Sequence, residues 1–136
     1  MILFVDDEDI RMESYREELE FASYKVQYES SVDSAIVFFK ENLEDIELII
    51  LDVMMPPGEA FANQKTHHGL RTGAYLYEYI RKVRSNIPVI FLTNVSDEAL
   101  INKVEQASGE ALIKFFEKKE LLPFELVDKV KDFLES

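Results

Sequence analysis

Leu48-Ile49-Ile50-Leu51-Asp52-Val53-Met54-Met55-Pro56-Pro57 is the stretch whose reading decides the fold. Four successive apolar residues without alternation predict a strand buried on both faces, as in a parallel sheet covered by helices. Asp52 ends the run. A carboxylate is costly inside a core, but at the carboxyl end of a parallel strand it emerges into the crevice where open α/β sheets bind ligands. Pro56 and Pro57 then close the strand and begin a loop. Taken alone, Asp52 reads more readily as an acid that simply caps a strand.

Upstream, Ile2-Leu3-Phe4-Val5 repeats the pattern and also ends in acid, Asp6-Asp7-Glu8. Between these strands, Met12, Tyr15, Leu19 and Ala22 fall at helical spacing over Ile10 to Ser23, and the acidic start suits a helix N-terminus. Lys25 to Glu29 alternates, as a strand near a sheet edge does. Ser30 and Ser31 offer caps for a helix carrying Val32, Ile36, Phe39 and Leu43. Downstream of Pro57, residues 58–72 are polar and aperiodic, which predicts a long loop holding His67 and His68. Helical spacing resumes at Gly73, Leu76, Ile80 and Val83. Pro88 to Leu92 is a further apolar strand, ending in Thr93-Asn94. A helix from Ser96 through Leu100, Val104 and Ala107 stops at Gly109, and Ala111 to Phe116 gives a fifth strand before Glu117-Lys118-Lys119. Leu126, Val130 and Phe133 share one face of a closing helix. Strand and helix thus alternate five times, which predicts an α/β, doubly wound parallel sheet with right-handed crossovers.

The bulk numbers agree with a domain of that kind. At 136 residues, with 47% hydrophobic and 31% charged positions, the chain has the length and composition of one domain, 1–136, with its own core. Its net charge of -12 argues against binding nucleic acid or anionic lipid through this segment. Without cysteine there is neither a disulfide framework nor a thiolate metal site. Met1 to Val5 is too short for a signal peptide, and no run approaches membrane-spanning length, so a soluble, cytoplasmic protein is expected.

Parallel strands point the same way, so the residues that follow them gather at one edge: Asp6 and Asp7, Asp52, Thr93 and Lys118. Three neighbouring carboxylates raise one another's pKa unless a cation joins them. Their oxygen-only character suits Mg²⁺, which takes one or two carboxylates and fills its shell with water and phosphate. Asp52 is then placed to attack phosphorus, with Lys118 and Thr93 available to the equatorial oxygens. Singly, each residue has an ordinary reading, an acidic helix start, a turn threonine or a solvated lysine; strand-end placement in this order is what unites them.

With these residues the sequence resembles a bacterial response regulator receiver domain, most specifically at Ile2-Leu3-Phe4-Val5-Asp6-Asp7-Glu8 and Leu51-Asp52-Val53-Met54-Met55-Pro56. The resemblance implies a flavodoxin-like (βα)5 fold with strand order 2-1-3-4-5. It implies Asp52 as phosphoacceptor, an acid pocket at Asp6 and Asp7, and metal held by Asp7, Asp52 and the Met54 carbonyl. The conserved hydroxyl falls on Thr93, the conserved lysine on Lys118, and the aromatic that changes position on activation on Phe115. The implied partners are a sensor histidine kinase or histidine phosphotransfer protein, with a downstream protein target or a homodimer as output.

Four departures from the family pattern stand out. Lys119 follows Lys118 where proline is usual, leaving Lys114 and Lys119 open, although strand logic favours Lys118 because it lies just past the apolar run. Asn94 is larger than the small residue that commonly follows the hydroxyl. The loop 57–71 is longer than usual and lies beside the acceptor, where it shields the site or selects a partner; for His67 and His68, a solvated loop is the simpler reading than a metal site. No output domain follows Ser136 in this sequence. The expected function is a phosphoacceptor switch of a two-component phosphorelay, not a turnover enzyme. Its rivals are a receiver-like interaction module independent of phosphorylation and an Mg²⁺-dependent aspartyl-phosphate phosphatase.

Overall fold

The structure is a computed structural model describing residues 1–65, 71–94, 102 and 112–135. Its five strands are β1 (Ile2–Val5), β2 (Val26–Glu29), β3 (Leu48–Leu51), β4 (Val89–Thr93) and β5 (Ile113–Glu117). All pair in parallel in the order β2-β1-β3-β4-β5, the doubly wound arrangement. Among the described residues four helices connect or follow them: α1 (Asp9–Phe21), α2 (Val32–Glu41), α3 (Thr72–Val83) and α4 (Pro123–Glu135). The expected helix from Ser96 to Gly109 and the histidines His67 and His68 lie outside the described residues, apart from Asn102.

The unbroken apolar runs follow from two cores, one on each side of the sheet. Leu3, Val5, Ile49, Leu51, Val89 and Phe91 pack with α2 and α3, whereas Ile2, Phe4, Leu48, Ile50, Ile90 and Leu92 pack with α1 and α4. Successive residues point to opposite faces, so a strand covered twice has no polar position to alternate with. β2, at the edge, is half-buried throughout, and its alternation survives.

Local signals set the helix ends. Ser31 caps α2, its Oγ accepting the Ser34 amide at 3.1 Å. Pro123 opens α4, and Glu125 Oε1 accepts the Leu122 amide at 2.8 Å just before it. α1 stops short of Ser23, which lies in the left-handed region at φ 73°. Val83, expected on the buried face of α3, is 42% exposed because the helix ends there and the chain turns away. Among the described residues, no helix is long and apolar enough to cross a membrane.

Beyond β3 the chain is organised by turns as far as Lys65. Gly58 has φ +61°, and the Asp33 carboxylate at the start of α2 accepts the amides of Glu59 and Ala60, both at 3.0 Å. Phe61 lies 6.0 Å from the Tyr75 ring, and the Tyr75 hydroxyl donates to the Lys65 carbonyl at 3.2 Å. This segment is therefore tied to α2 at one end and to α3 at the other.

Candidate functional site

Sheet register builds the site. Val5 pairs with Leu51, so Asp6 and Asp52 leave adjacent strands at the same level, and the Asp52 amide donates to the Val5 carbonyl at 3.1 Å. Thr93 pairs with Glu117, which puts Lys118 one step past the edge of β5. Asp6, Asp52, Thr93 and Lys118 are all buried, although each is polar or charged. Asp7 is exposed.

Lys118 joins the acids. Its Nζ lies 2.8 Å from Asp6 Oδ2 and 2.9 Å from Asp52 Oδ2, with Glu8 Oε2 farther off at 3.8 Å. Oxygens of Asp6, Asp7 and Asp52 lie within 4.8 Å of one another. Backbone donors fix two of the carboxylates: the Glu8 amide donates to Asp6 Oδ1 at 2.9 Å and the Met54 amide to Asp52 Oδ1 at 3.2 Å. The Tyr28 hydroxyl donates to the Asp6 carbonyl. Of the three lysines left open by the sequence, Lys114 is exposed on β5 and exposed Lys119 pairs with Glu117 at 3.6 Å; only Lys118 enters the acid pocket.

The electrostatics follow from burial. Asp6 is pushed up to about 6 by loss of water, helped by the charge of Asp52 and opposed by the bond to Lys118. Asp7 is raised as well, first by its partial burial and then by Asp52 and Glu8. For Lys118, burial works against the charged form, but the bonds to Asp6 and Asp52 outweigh it and hold the ammonium above its ordinary value. Asp6, Asp7 and Lys118 thus each hold a proton to higher pH than they would in water. An all-oxygen anionic set with one exposed member matches what a hard divalent cation requires, so the residues fit Mg²⁺.

The sequence matches the family described as the response regulator receiver domain across residues 2–124. The chain belongs to this family. Receiver domains are signalling modules of two-component systems. Among solved structures, this receiver is 26% identical to the receiver domain of the hybrid histidine kinase CckA, at TM-score 0.69, over 98% of this chain and 97% of that one. A response regulator receiver domain protein from Clostridium thermocellum is 22% identical at TM-score 0.77, covering 98% and 93%. A two-component response regulator from Clostridium difficile is 21% identical at TM-score 0.76, covering 98% and 94%. At those identities the last two establish the fold. No curated protein matches the sequence.

Contacts made by four residues of this receiver, Glu8, Gly73, Tyr15 and Tyr28, are not read from the sequence. Glu8 accepts the Asn94 side-chain amide at 3.4 Å across the mouth of the pocket. Gly73, in the first turn of α3, donates its amide to the Val53 carbonyl at 2.8 Å, so the helix starts against the backbone that carries Asp52. Tyr15 and Tyr28 take backbone carbonyls beside the acids and the lysine. None has a short-range signature; each contact joins residues far apart in the chain. Phe115 is half-buried and stacked on Phe91, ring centroids 4.7 Å apart and planes 8° from parallel.

Proposed function

We propose that this receiver accepts a phosphoryl group on Asp52 from a phosphohistidine of a sensor histidine kinase or phosphotransfer protein and thereby switches its surface between two states. The observation that carries the reading is the buried Lys118 ammonium, 2.9 Å from Asp52 and 2.8 Å from Asp6, beside a third carboxylate. An Asp52 oxygen attacks phosphorus, the phosphorus–nitrogen bond breaks, and the imidazole leaves with the electron pair and takes up a proton. Lys118 then exchanges its bond to Asp52 for one to a phosphoryl oxygen, and the Thr93 hydroxyl donates to another.

Mg²⁺ would be held by Asp7 and Asp52, with Asp6 beside them and the backbone carbonyl of Met54. When bound it neutralises charge on the acceptor and the incoming phosphate. Phosphorylation adds roughly two negative charges. Moving Thr93 toward them biases the Phe91–Phe115 stack and the surface beyond it, where a downstream protein or a second copy docks. Shifting such a balance from 1:99 to 99:1 takes about 5.5 kcal/mol, the order of a few charge-assisted hydrogen bonds. The module acts in the cytoplasm, residues 1–136 forming one receiver domain, and its inserted loop 57–71 either shields Asp52 or selects the partner that reaches it.

Intact-mass measurement tests the reading, using Mg²⁺ with acetyl phosphate and, separately, with a phosphorylated histidine phosphotransfer protein. One added phosphoryl mass is expected on wild type and none on Asp52→Ala. No gain from either donor refutes it and leaves an interaction module that works without phosphate. Continuous release of phosphate from small phosphoesters over many turnovers would instead identify a phosphatase.

A further inference from the structure

Lys118 is carried on a single 3-10 turn, Lys118–Glu120, whose own closing bond is long: the Leu121 amide lies 3.4 Å from the Lys118 carbonyl. A turn this short has little intrinsic stability. The Tyr15 hydroxyl supplies what it lacks. Its oxygen lies 2.5 Å from the Leu121 carbonyl oxygen and 3.1 Å from that of Lys118, and all three groups are buried in the contact between α1 and the end of β5.

We propose that Tyr15 is a positioning residue for phosphoryl acceptance: its hydroxyl fixes the turn from which Lys118 reaches Asp6 and Asp52. The inference rests on the phosphoacceptor role proposed above for Asp52. Tyr15 is 7% exposed on α1, between the buried Met12 and Leu19, so the ring is fixed by packing and its hydroxyl has little freedom to seek other partners. Because α1 begins at Asp9, directly after Asp6-Asp7-Glu8, one helix places the acids from its first turn and the lysine from its second. A four-methylene side chain gains aim only if its backbone is held, since lysine otherwise keeps many rotamers. Burial raises the Tyr15 hydroxyl above its ordinary range, so it remains a donor at all working pH.

A double-mutant cycle on the full chain tests this. Phosphorylation by acetyl phosphate with Mg²⁺ is timed by intact mass in wild type, Tyr15→Phe, Lys118→Met and the double variant. Tyr15→Phe keeps the ring and should slow acceptance roughly fivefold, the factor that one net hydrogen bond represents. With Lys118→Met already present, the same change should have no further effect. Tyr77→Phe, which deletes a buried hydroxyl that accepts from Arg81 at 2.8 Å, should leave the rate unchanged and controls for stability. An unchanged rate in Tyr15→Phe, or an equal loss in both lysine backgrounds, overturns the proposal. The same cycle read by urea unfolding needs no phosphodonor: coupling between Tyr15 and Lys118 supports the inference, and strict additivity overturns it. A wild type that gains no phosphoryl mass sinks the acceptor role of Asp52 instead, while the unfolding cycle still decides the placement of Lys118.

Discussion

Replacing Gly73 with alanine sets the first turn of α3 directly against the backbone of Asp52 and Val53, just past the end of β3. A Cβ at this position would lie 2.0 Å from the Asp52 carbonyl oxygen, 2.6 Å from Val53 Cα and 2.8 Å from the Asp52 carbonyl carbon. All three are backbone atoms, so no side chain can rotate out of the way. Ordinary contact begins at 3.4 Å, and 3.4 less 2.0 gives a retreat of about 1.4 Å for the helix or the strand. That displacement breaks the Gly73 amide bond to the Val53 carbonyl, worth about 1 kcal/mol, and forces an overpacked contact costing about 1–3 kcal/mol. Alanine's better helix propensity returns at most about 1 kcal/mol. The net expectation for Gly73→Ala is a loss of about 2 kcal/mol, read as a lower urea midpoint with unchanged slope. Because the Asp52 carbonyl itself must move, phosphoryl acceptance timed by intact mass should also fall. A variant as stable as wild type, or more so, would refute the close approach of α3 to the Asp52 backbone.

Lys118→Met should destabilise the metal-free chain by about 3 kcal/mol at pH 8, because it leaves Asp6 and Asp52 buried without their cation. The raised ammonium contributes fully below its ordinary value and loses that contribution only as pH rises through the higher folded value, so urea titrations at pH 8 and pH 10 should show the same loss; a loss confined to one of them refutes it. Asp6, raised from 3.8 to about 6, favours the folded state in its protonated form, a contribution complete below about pH 4 and lost as pH rises through about 6. In EDTA, Asp6→Asn should therefore flatten the fall in stability across that window, and a wild-type curve equally flat would count against the assignment. Asp33→Ala removes both amide acceptor contacts from residues 59 and 60 and should speed protease cleavage between residues 58 and 65 while costing about 1–2 kcal/mol; unchanged cleavage would mean that the segment is anchored elsewhere.

Most of the fold is written in short-range pattern. Leu48–Leu51, Ile2–Val5 and Val89–Leu92 are apolar without interruption because each is covered on both faces, and that covering also explains why they lie centrally and β2 at the edge. The acidic half of the site is legible for the same reason, since a carboxylate that ends such a run has only the sheet edge to occupy. What the sequence leaves open among Lys114, Lys118 and Lys119 depends on where β5 ends against β4, and between Lys118 and Lys119 that is a matter of a single residue. Tyr15 reads as one more apolar position of α1; its hydroxyl finds partners 103 and 106 residues away, and no local spacing encodes that. Gly73 likewise reads as a helix position, because the strand backbone that excludes a side chain there comes from outside the helix. Asp33, in the first turn of α2, is not singled out by the sequence at all, because the amides it accepts lie 26 and 27 residues downstream.

The bridge from Lys118 to Asp6 and Asp52 also bears on how the protein matures. Where buried ligand groups have only a metal to neutralise them, binding of the ion is coupled to folding. Here the polypeptide carries its own counter-ion. Asp6 and Asp52 are thus neutralised within the fold by Lys118, and on the reading proposed above Mg²⁺ would be required for phosphoryl acceptance rather than for completing the core. On that reading, folding and the ability to take up a phosphoryl group are separate requirements, and a chain without Mg²⁺ would be folded yet unable to accept phosphate.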